Sequence, residues 1–501
     1  MSAPEMIAQL SRLAQSQPEK LALYDGQQPM TYRQLMAAVT STAAQLEEHN
    51  ARRIALSAEN GVDWLVADLA CQYADKPLLP LPPFFSGEQI HHAISEVGID
   101  SLIATSESPS PVNGGFDFVT TLAGTRLTLW QRRGYCTIEQ PDVLPPGTGK
   151  ITYTSGSTGK PKGVCLSNSQ LAAQAVRLSD LIPMQDRRHL CLLPLSVLLE
   201  NVAGVYSTLL SGGTVLAPDL SSLGETGSSS LRGNSFLAAL DQFRPHSLIL
   251  IPEMLRALVN ACEKGWQPPS CLTFIAVGGS MVDDSLIQCA RTHGLPVYQG
   301  YGLSECASVV SLNTPTANHP GSVGKPLPGL HVLIVQGEVV VAGNPFLGYV
   351  DQPDSWGHLM IRTGDLGWLD ESHYLHLTGR KKNLIINSFG RNISPEWVEG
   401  KLMASPAVAE CVVLGDGHPH LCALIWPGPG TNNGELQGWI DQCNGDLPDY
   451  ARIHHWHVPD KPLSAHPDLL TATGKLRREA VANTFAAEIA ALYELPLEIT
   501  P

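Results

Sequence analysis

Apolar and polar positions along the chain repeat one pattern: a short continuous apolar run, a polar turn, then a longer segment with apolar residues at helical spacing. The runs are Arg53–Ala58, Ser101–Ser106, Lys150–Ser155, Leu190–Leu195, Ser247–Pro252, Thr273–Gly279 and Pro296–Gly302. Helical segments include Leu171–Ile182 and Pro252–Gly265. Strands apolar on both faces that alternate with helices predict a mostly parallel α/β sheet, with ligands at the carboxyl ends of its strands. The most apolar stretch, Leu190 to Pro218, is broken by Pro194, Glu200, Asn201 and a Gly pair. It predicts a buried helix with flanking strands, because a membrane span needs about 20 mostly apolar residues. After Gly337–Val350 and Ile361–Asp370 the pattern turns to short alternating strands and turns, and Ser394–Gly415 predicts a helix followed by a strand. The expected architecture is therefore α/β: a large N-terminal domain, residues 1–380, with mostly parallel sheets and flanking helices, and a small mobile C-terminal α+β domain, residues 381–501. Ser/Gly/Pro-dense stretches at Ser108–Gly115 and Ser221–Ser235 predict loops, the second a mobile surface insertion.

Composition narrows the function. The chain of 501 residues is 43% hydrophobic and 16% charged, as in ordinary globular enzymes. A formal charge of −15 excludes a general affinity for nucleic acid or anionic lipid. The eleven cysteines form no C-x-x-C pair, and the N-terminus has no basic opening followed by an apolar run. Reduced thiols, a surface helix at the N-terminus and a cytoplasmic location follow, with no integral membrane association.

Chemistry first shows in "YTSGSTGKPKGV", Tyr153 to Val164. A Walker loop needs four residues between its glycines, and here only Ser157 and Thr158 separate Gly156 from Gly159. The hydroxyls and glycine amides of Thr154, Ser155, Gly156, Ser157, Thr158 and Gly159, with Lys162, still suit phosphate oxygens, and the loop follows an apolar strand and precedes a helical pattern. The string resembles the signature loop of the adenylate-forming superfamily, which comprises acyl-CoA synthetases, peptide-synthetase adenylation domains and beetle luciferases. By that resemblance it holds the β- and γ-phosphates of ATP.

Further motifs of that family follow in order. "VYQGYGLSE", Val297 to Glu305, is similar to the adenine and magnesium motif. The resemblance implies that Gln299, Gly300, Tyr301 and Gly302 border the nucleotide, Tyr301 stacking on adenine, while Ser304 contacts the α-phosphate and Glu305, with Thr158, holds Mg²⁺. "AVGGS" supplies Gly278, Gly279 and Ser280 beside the adenine pocket. "RTGDLG" supplies Asp365 for the ribose hydroxyls, Arg380 is the second ribose contact, and Lys382 stands at the hinge. "LLTATGKLRREA" matches the closing motif x-T-x-x-G-K-x-x-R, which makes Lys475 the catalytic lysine. Gly390 falls on the loop facing a pantetheine arm, where a side chain would obstruct it. "LPLSVLLENVAG" resembles the acyl-site motif of fatty acyl-CoA synthetases, with Val197 where those carry a histidine or aromatic gate. Val197, Gly278, Gly302 and Gly390 are the substrate-side candidates.

The reaction accounts for these residue types. A carboxylate must approach a polyphosphate, and two unit charges ~4 Å apart repel by roughly 4 kcal/mol at an effective dielectric of ~20. Left uncompensated, that slows attack by about a thousandfold. A cation on Glu305 and the ammonium of Lys475 offset it. The expected activity is ATP-dependent activation of a carboxylic acid, fatty or otherwise apolar, as acyl-AMP, then transfer to CoA after a domain rotation. Alternative readings are a stand-alone ligase loading the phosphopantetheine of an acyl carrier protein, and a non-catalytic acyl or nucleotide binder. His454–His457 and the pair His91 and His92 read as structural or surface histidines.

Overall fold

A computed structural model of the chain describes residues 5–105, 115–134, 142–154, 162–223, 233–279, 282–470 and 476–494. The stretch 106–114 and most of the proposed surface insertion, 224–232, lie outside the described residues. Two large sheets form the bulk of the molecule. In the nine-stranded sheet, Val297–Tyr301, Phe274–Val277, Ser247–Leu250, Arg188–Leu190, Thr214–Leu216 and Leu21–Tyr24 run parallel in that spatial order. In the eight-stranded sheet, Lys150–Thr154, Leu78–Pro80, Ile54–Ser57 and Ser101–Thr105 run parallel. Antiparallel strands close the edges of both. The parallel centres coincide with the continuous apolar runs, as expected of strands covered by helices on both faces. The fold is the mixed α/β architecture that the pattern predicts.

Two local readings change. The loop after Lys150–Thr154 does not lead into a helix: it joins that strand to the antiparallel strand Lys162–Leu166. The helix Asn168–Leu181 begins only after that, at a capping box made by Ser167 and Gln170. The strand Lys162–Leu166 thus stands in sequence between the phosphate loop and that helix. The apolar run Leu190–Leu195 likewise is not a strand, since the strand is Arg188–Leu190. The backbone amides of Leu192 and Leu193 donate instead to the Glu200 carboxylate, at 3.1 and 3.0 Å. Glu200 lies on the segment Leu199–Tyr206, wound as a π-helix, a form found mostly as single turns and often at functional sites.

A four-stranded antiparallel sheet follows, His331–Val335, Glu338–Ala342, Met360–Leu369 and Leu375–Arg380. Beyond it the strands Val408–Leu414, Leu421–Pro427 and Ile453–His457 form a separate sheet with helices Pro395–Leu402 and Asn433–Asp446. Their two apolar clusters draw only on residues from Ile385 onward. At the other end, helix Glu5–Ser16 buries Met6, Ile7, Leu10 and Leu13 along one stripe, as an amphipathic surface helix does. Among the described residues no helix is long and apolar enough to cross a membrane.

Candidate active site

Asp365 lies at the junction of two sheets. It sits on Met360–Leu369, opposite Arg380 in the antiparallel ladder, and its side chain is only 7% exposed. Its Oδ1 accepts from Arg380 Nε at 2.7 Å, and its Oδ2 accepts from the Tyr301 hydroxyl at 2.7 Å. Tyr301 ends the last parallel strand of the nine-stranded sheet, so this bond joins a strand's carboxyl end to the smaller sheet. Burial, then the negative Asp365, pushes the Tyr301 phenol well above its usual range, which keeps it a donor. Each carboxylate oxygen accepts one of these bonds and has capacity for another. A vicinal diol such as ribose fits that remaining capacity.

Glu305 is half-buried in the turn Ser304–Cys306. Its Oε1 accepts from the Tyr349 hydroxyl at 2.9 Å. Tyr349 pairs with Val164 on the strand that leaves the phosphate loop, and Lys162 Nζ stands 5.2 Å from the Tyr349 ring centroid. Burial and then Glu305 push the Tyr349 phenol upward. Lys162, Tyr349 and Glu305 are thus gathered beside the exit of that loop. A carboxylate here offers the hard oxygen that Mg²⁺ prefers.

The remaining candidates divide into three groups. Thr154 ends its strand, Gly278 and Gly279 follow Phe274–Val277, and Gln299 and Gly300 lie on the strand of Tyr301. Gln299 is buried, and its carbonyl accepts from the Asn313 backbone amide at 2.9 Å. At Gly302 the requirement is internal: an added Cβ would lie 1.6 Å from the Ser308 carbonyl oxygen. Ser304 opens the turn of Glu305. Val197, Lys382 and Gly390 are not joined to these residues by any described hydrogen bond. Val197 is half-buried on the turn before the π-helix, where its amide donates to Pro194 O at 2.9 Å. Lys382 lies in the turn Lys381–Asn383, its ammonium pushed down by partial burial and by neighbouring Arg380. Gly390 has φ +72°, with open space where a Cβ would be, so its backbone conformation alone accounts for a glycine. Ser155, Gly156, Ser157, Thr158, Gly159, Ser280 and Lys475 lie outside the described residues. The residues flanking Lys475 are held: Leu470 and Leu476 pair, and Arg478 grips Glu399 through two bonds of 2.6 and 2.9 Å.

Sequence reading missed a second polar group behind the site. Lys150, on the strand leading to the phosphate loop, is 1% exposed and pairs with Asp68 at 2.6 Å. Its ammonium also donates to Asn201 Oδ1 and the Tyr206 hydroxyl, each at 2.6 Å, and Tyr206 donates to Asp68 Oδ2 at 2.5 Å. Asn201 and Tyr206 lie on the π-helix, so the group ties it to the phosphate-loop strand. Beside it, Glu200 meets His189 at 2.6 Å with both side chains fully buried. A charge inside an apolar run was the available signal, Asp68 in "LVADLAC" and Lys150 opening "KITY". Tyr349 carries no such signal.

Comparison with known proteins shows the family. Residues 10–351 match the AMP-binding enzyme family, and residues 382–495 match the AMP-binding enzyme C-terminal domain. A feruloyl-CoA synthase of Amycolatopsis sp is 29% identical over 95% of this chain and 98% of its own length. A 2-succinylbenzoate–CoA ligase of Bacillus subtilis (strain 168) is 28% identical over 92% and 96%. Among solved structures, O-succinylbenzoate coenzyme A synthetase (MenE) from Bacillus subtilis, in complex with ATP and magnesium ion, superimposes with a TM-score of 0.76. It is 26% identical and covers 94% of this chain and 98% of that one.

Proposed function

We propose that this chain, which belongs to the AMP-binding enzyme family and is an adenylate-forming ligase, is an ATP-dependent acid:thiol ligase. It activates a carboxylic acid as acyl-AMP with release of pyrophosphate, then forms a thioester with CoA. The observation that carries this reading is the buried Asp365 carboxylate, held by Tyr301 and Arg380 with acceptor capacity to spare. Asp365 and Arg380 take the ribose, Tyr301 and the Gly278–Ser280 turn border adenine, and Thr154–Gly159 with Lys162 hold the leaving phosphates. Glu305 and Thr158 would hold Mg²⁺, which when bound neutralises phosphate charge. Lys475 delivers a positive charge to the α-phosphate from a C-terminal domain taken to begin at residue 381, with Lys382 as its hinge. Gly390 faces the thiol in the second half-reaction.

The acid has an apolar body. The relatives named above are ligases of feruloyl and succinylbenzoate groups, and the acyl motif around Val197 has the form seen with fatty acids, so aryl and fatty acids are both candidates. An aliphatic Val197 leaves the acyl site without a ring to gate it, which favours as second reading the transfer of the acyl group to a carrier protein. Every described cysteine is a free thiol, in keeping with a cytoplasmic enzyme. The test is ATP–pyrophosphate exchange across fatty, aryl and amino acids, followed by full turnover with CoA or carrier proteins. Exchange with an apolar acid that is lost in Lys475→Ala is the expected result. No exchange with any acid would leave a nucleotide-binding homologue.

A further inference from the structure

We propose that His319, His376 and Asp370 form a site for a borderline divalent transition ion such as Zn²⁺, apart from the nucleotide residues. One ligand atom from each of the three lies within 4.8 Å of the other two. His376 is on the strand Leu375–Arg380, Asp370 follows the strand Met360–Leu369, and His319 lies on the loop after Ser311–Leu312. Two stretches of chain therefore converge, the hairpin that carries Asp370 and His376 and the loop that carries His319.

Both rings are oriented as metal-binding imidazoles are. His319 Nδ1 meets Pro320 O at 2.9 Å and His376 Nδ1 meets Gly321 O at 3.0 Å, so each Nδ1–H is placed to donate to a backbone carbonyl, and a neutral ring then has its lone pair on Nε2. Asp370 is oriented too: its Oδ1 accepts the backbone amides of Ser372 and Tyr374 at 2.8 and 2.9 Å. Its Oδ2 is then left 3.2 Å from His376 Nε2. A neutral imidazole has one proton and here faces two acceptors. Something positive must sit between Nε2 and the carboxylate, either a proton or a metal ion, and His319 supplies the second nitrogen that a metal uses and a proton does not. Asp284, within coulombic reach of His376, adds negative charge. Two imidazoles and one carboxylate suit Zn²⁺, Ni²⁺, Co²⁺ or Cu²⁺, whereas Mg²⁺ and Ca²⁺ prefer oxygen alone. With His319 exposed, water completes the shell.

Such an ion pins the loop that begins at Asn313, which bonds Gln299, to the hairpin that carries Asp365 and Arg380. Trp368 reports it directly, because its ring stacks on His376 at 4.2 Å and 8°. Chelator-stripped protein is titrated with ZnCl₂ by calorimetry, and with NiCl₂ or CuCl₂ while tryptophan fluorescence is followed. One equivalent of Zn²⁺ is expected, with a raised thermal midpoint and Ni²⁺ quenching that disappears in Trp368→Phe. His319→Ala, His376→Ala and Asp370→Asn each weaken Zn²⁺ about tenfold or more. His454→Ala, in the other histidine-rich part of the fold, leaves the stoichiometry at one. Absence of saturable binding at about 100 µM metal, or binding that survives the triple variant, assigns the cluster to an imidazolium–carboxylate pair and overturns the proposal.

Discussion

Asp365 and Asp68 are both buried aspartates with a tyrosine and a cation for company, yet their surroundings differ in kind. Asp68 is fully enclosed: its Oδ2 accepts from Asn201 and Tyr206, its Oδ1 is ion-paired with the Lys150 ammonium at 2.6 Å, and that ammonium donates to Asn201 and Tyr206. Asp365 faces a cation that is 46% exposed and accepts one bond per oxygen. A closed polar group holds elements in register, and one with capacity left over can take a ligand. Burial and charge do not separate the two cases; the remaining acceptor capacity and the exposure of the cation do.

The largest effect tests the closed group. Lys150→Met leaves Asp68 buried without its cation and is expected to cost about 3–5 kcal/mol of stability, read as a lower thermal midpoint. Lys150→Met combined with Asp68→Leu removes both charges and is expected to recover much of that loss. If the double variant is as unstable as the single, the network is not a mutually compensating unit. Next comes the open group. Asp365→Ala is expected to lower kcat/KM for ATP in pyrophosphate exchange about a hundredfold, from two charge-assisted bonds of roughly 1.5 kcal/mol each. An unchanged kcat/KM would remove Asp365 from the nucleotide site. Smaller again is Tyr349→Phe, which deletes one donor to Glu305. A shift of about fivefold in the Mg²⁺ concentration for half-maximal exchange is expected, from roughly 1 kcal/mol.

The comparison also explains what was legible in the sequence. Asp365, Arg380, Tyr301 and Glu305 were legible because each stands in a contiguous string that resembles a family motif: Tyr301 and Arg380 end their strands, Glu305 is in a turn, and Asp365 lies inside the strand Met360–Leu369. The strands were legible for a similar reason, as continuous apolar runs. Lys150, Asp68, Asn201 and Tyr206 come from three elements and meet only through the fold, so the charges inside apolar runs mark Asp68 and Lys150 singly but no local string records that they pair. Tyr349 was invisible because its partner, Glu305, is 44 residues away. The strand at Lys162–Leu166 was hidden because a glycine, a lysine and three apolar residues read equally well as the approach to a helix. The edge strands Pro29–Thr31, Lys325–Pro326 and Gly348–Tyr349 escaped for lack of length.

The smallest expected effect concerns a third kind of buried polar group, one left without partners. His420 is 7% exposed, and neither ring nitrogen has a hydrogen bond. It is packed against His454 and His455 of the strand Ile453–His457, with His418 on its own stretch and Tyr493 from the last helix. Burial, reinforced by those histidines, pulls its pKa from 6.5 down to about 4. The folded state therefore holds His420 neutral while the unfolded chain takes up a proton more readily. The stability this contributes is complete above about pH 6.5 and is lost as the pH falls toward about 4. His420→Phe removes the titrating group and keeps an aromatic ring in the cavity. Its thermal midpoint is expected to fall less than that of the parent between pH 7.5 and pH 5, with the two curves parallel above pH 7. Parallel curves across the whole range would mean that His420 is accommodated as a cation, and that an unpartnered group here costs the fold nothing.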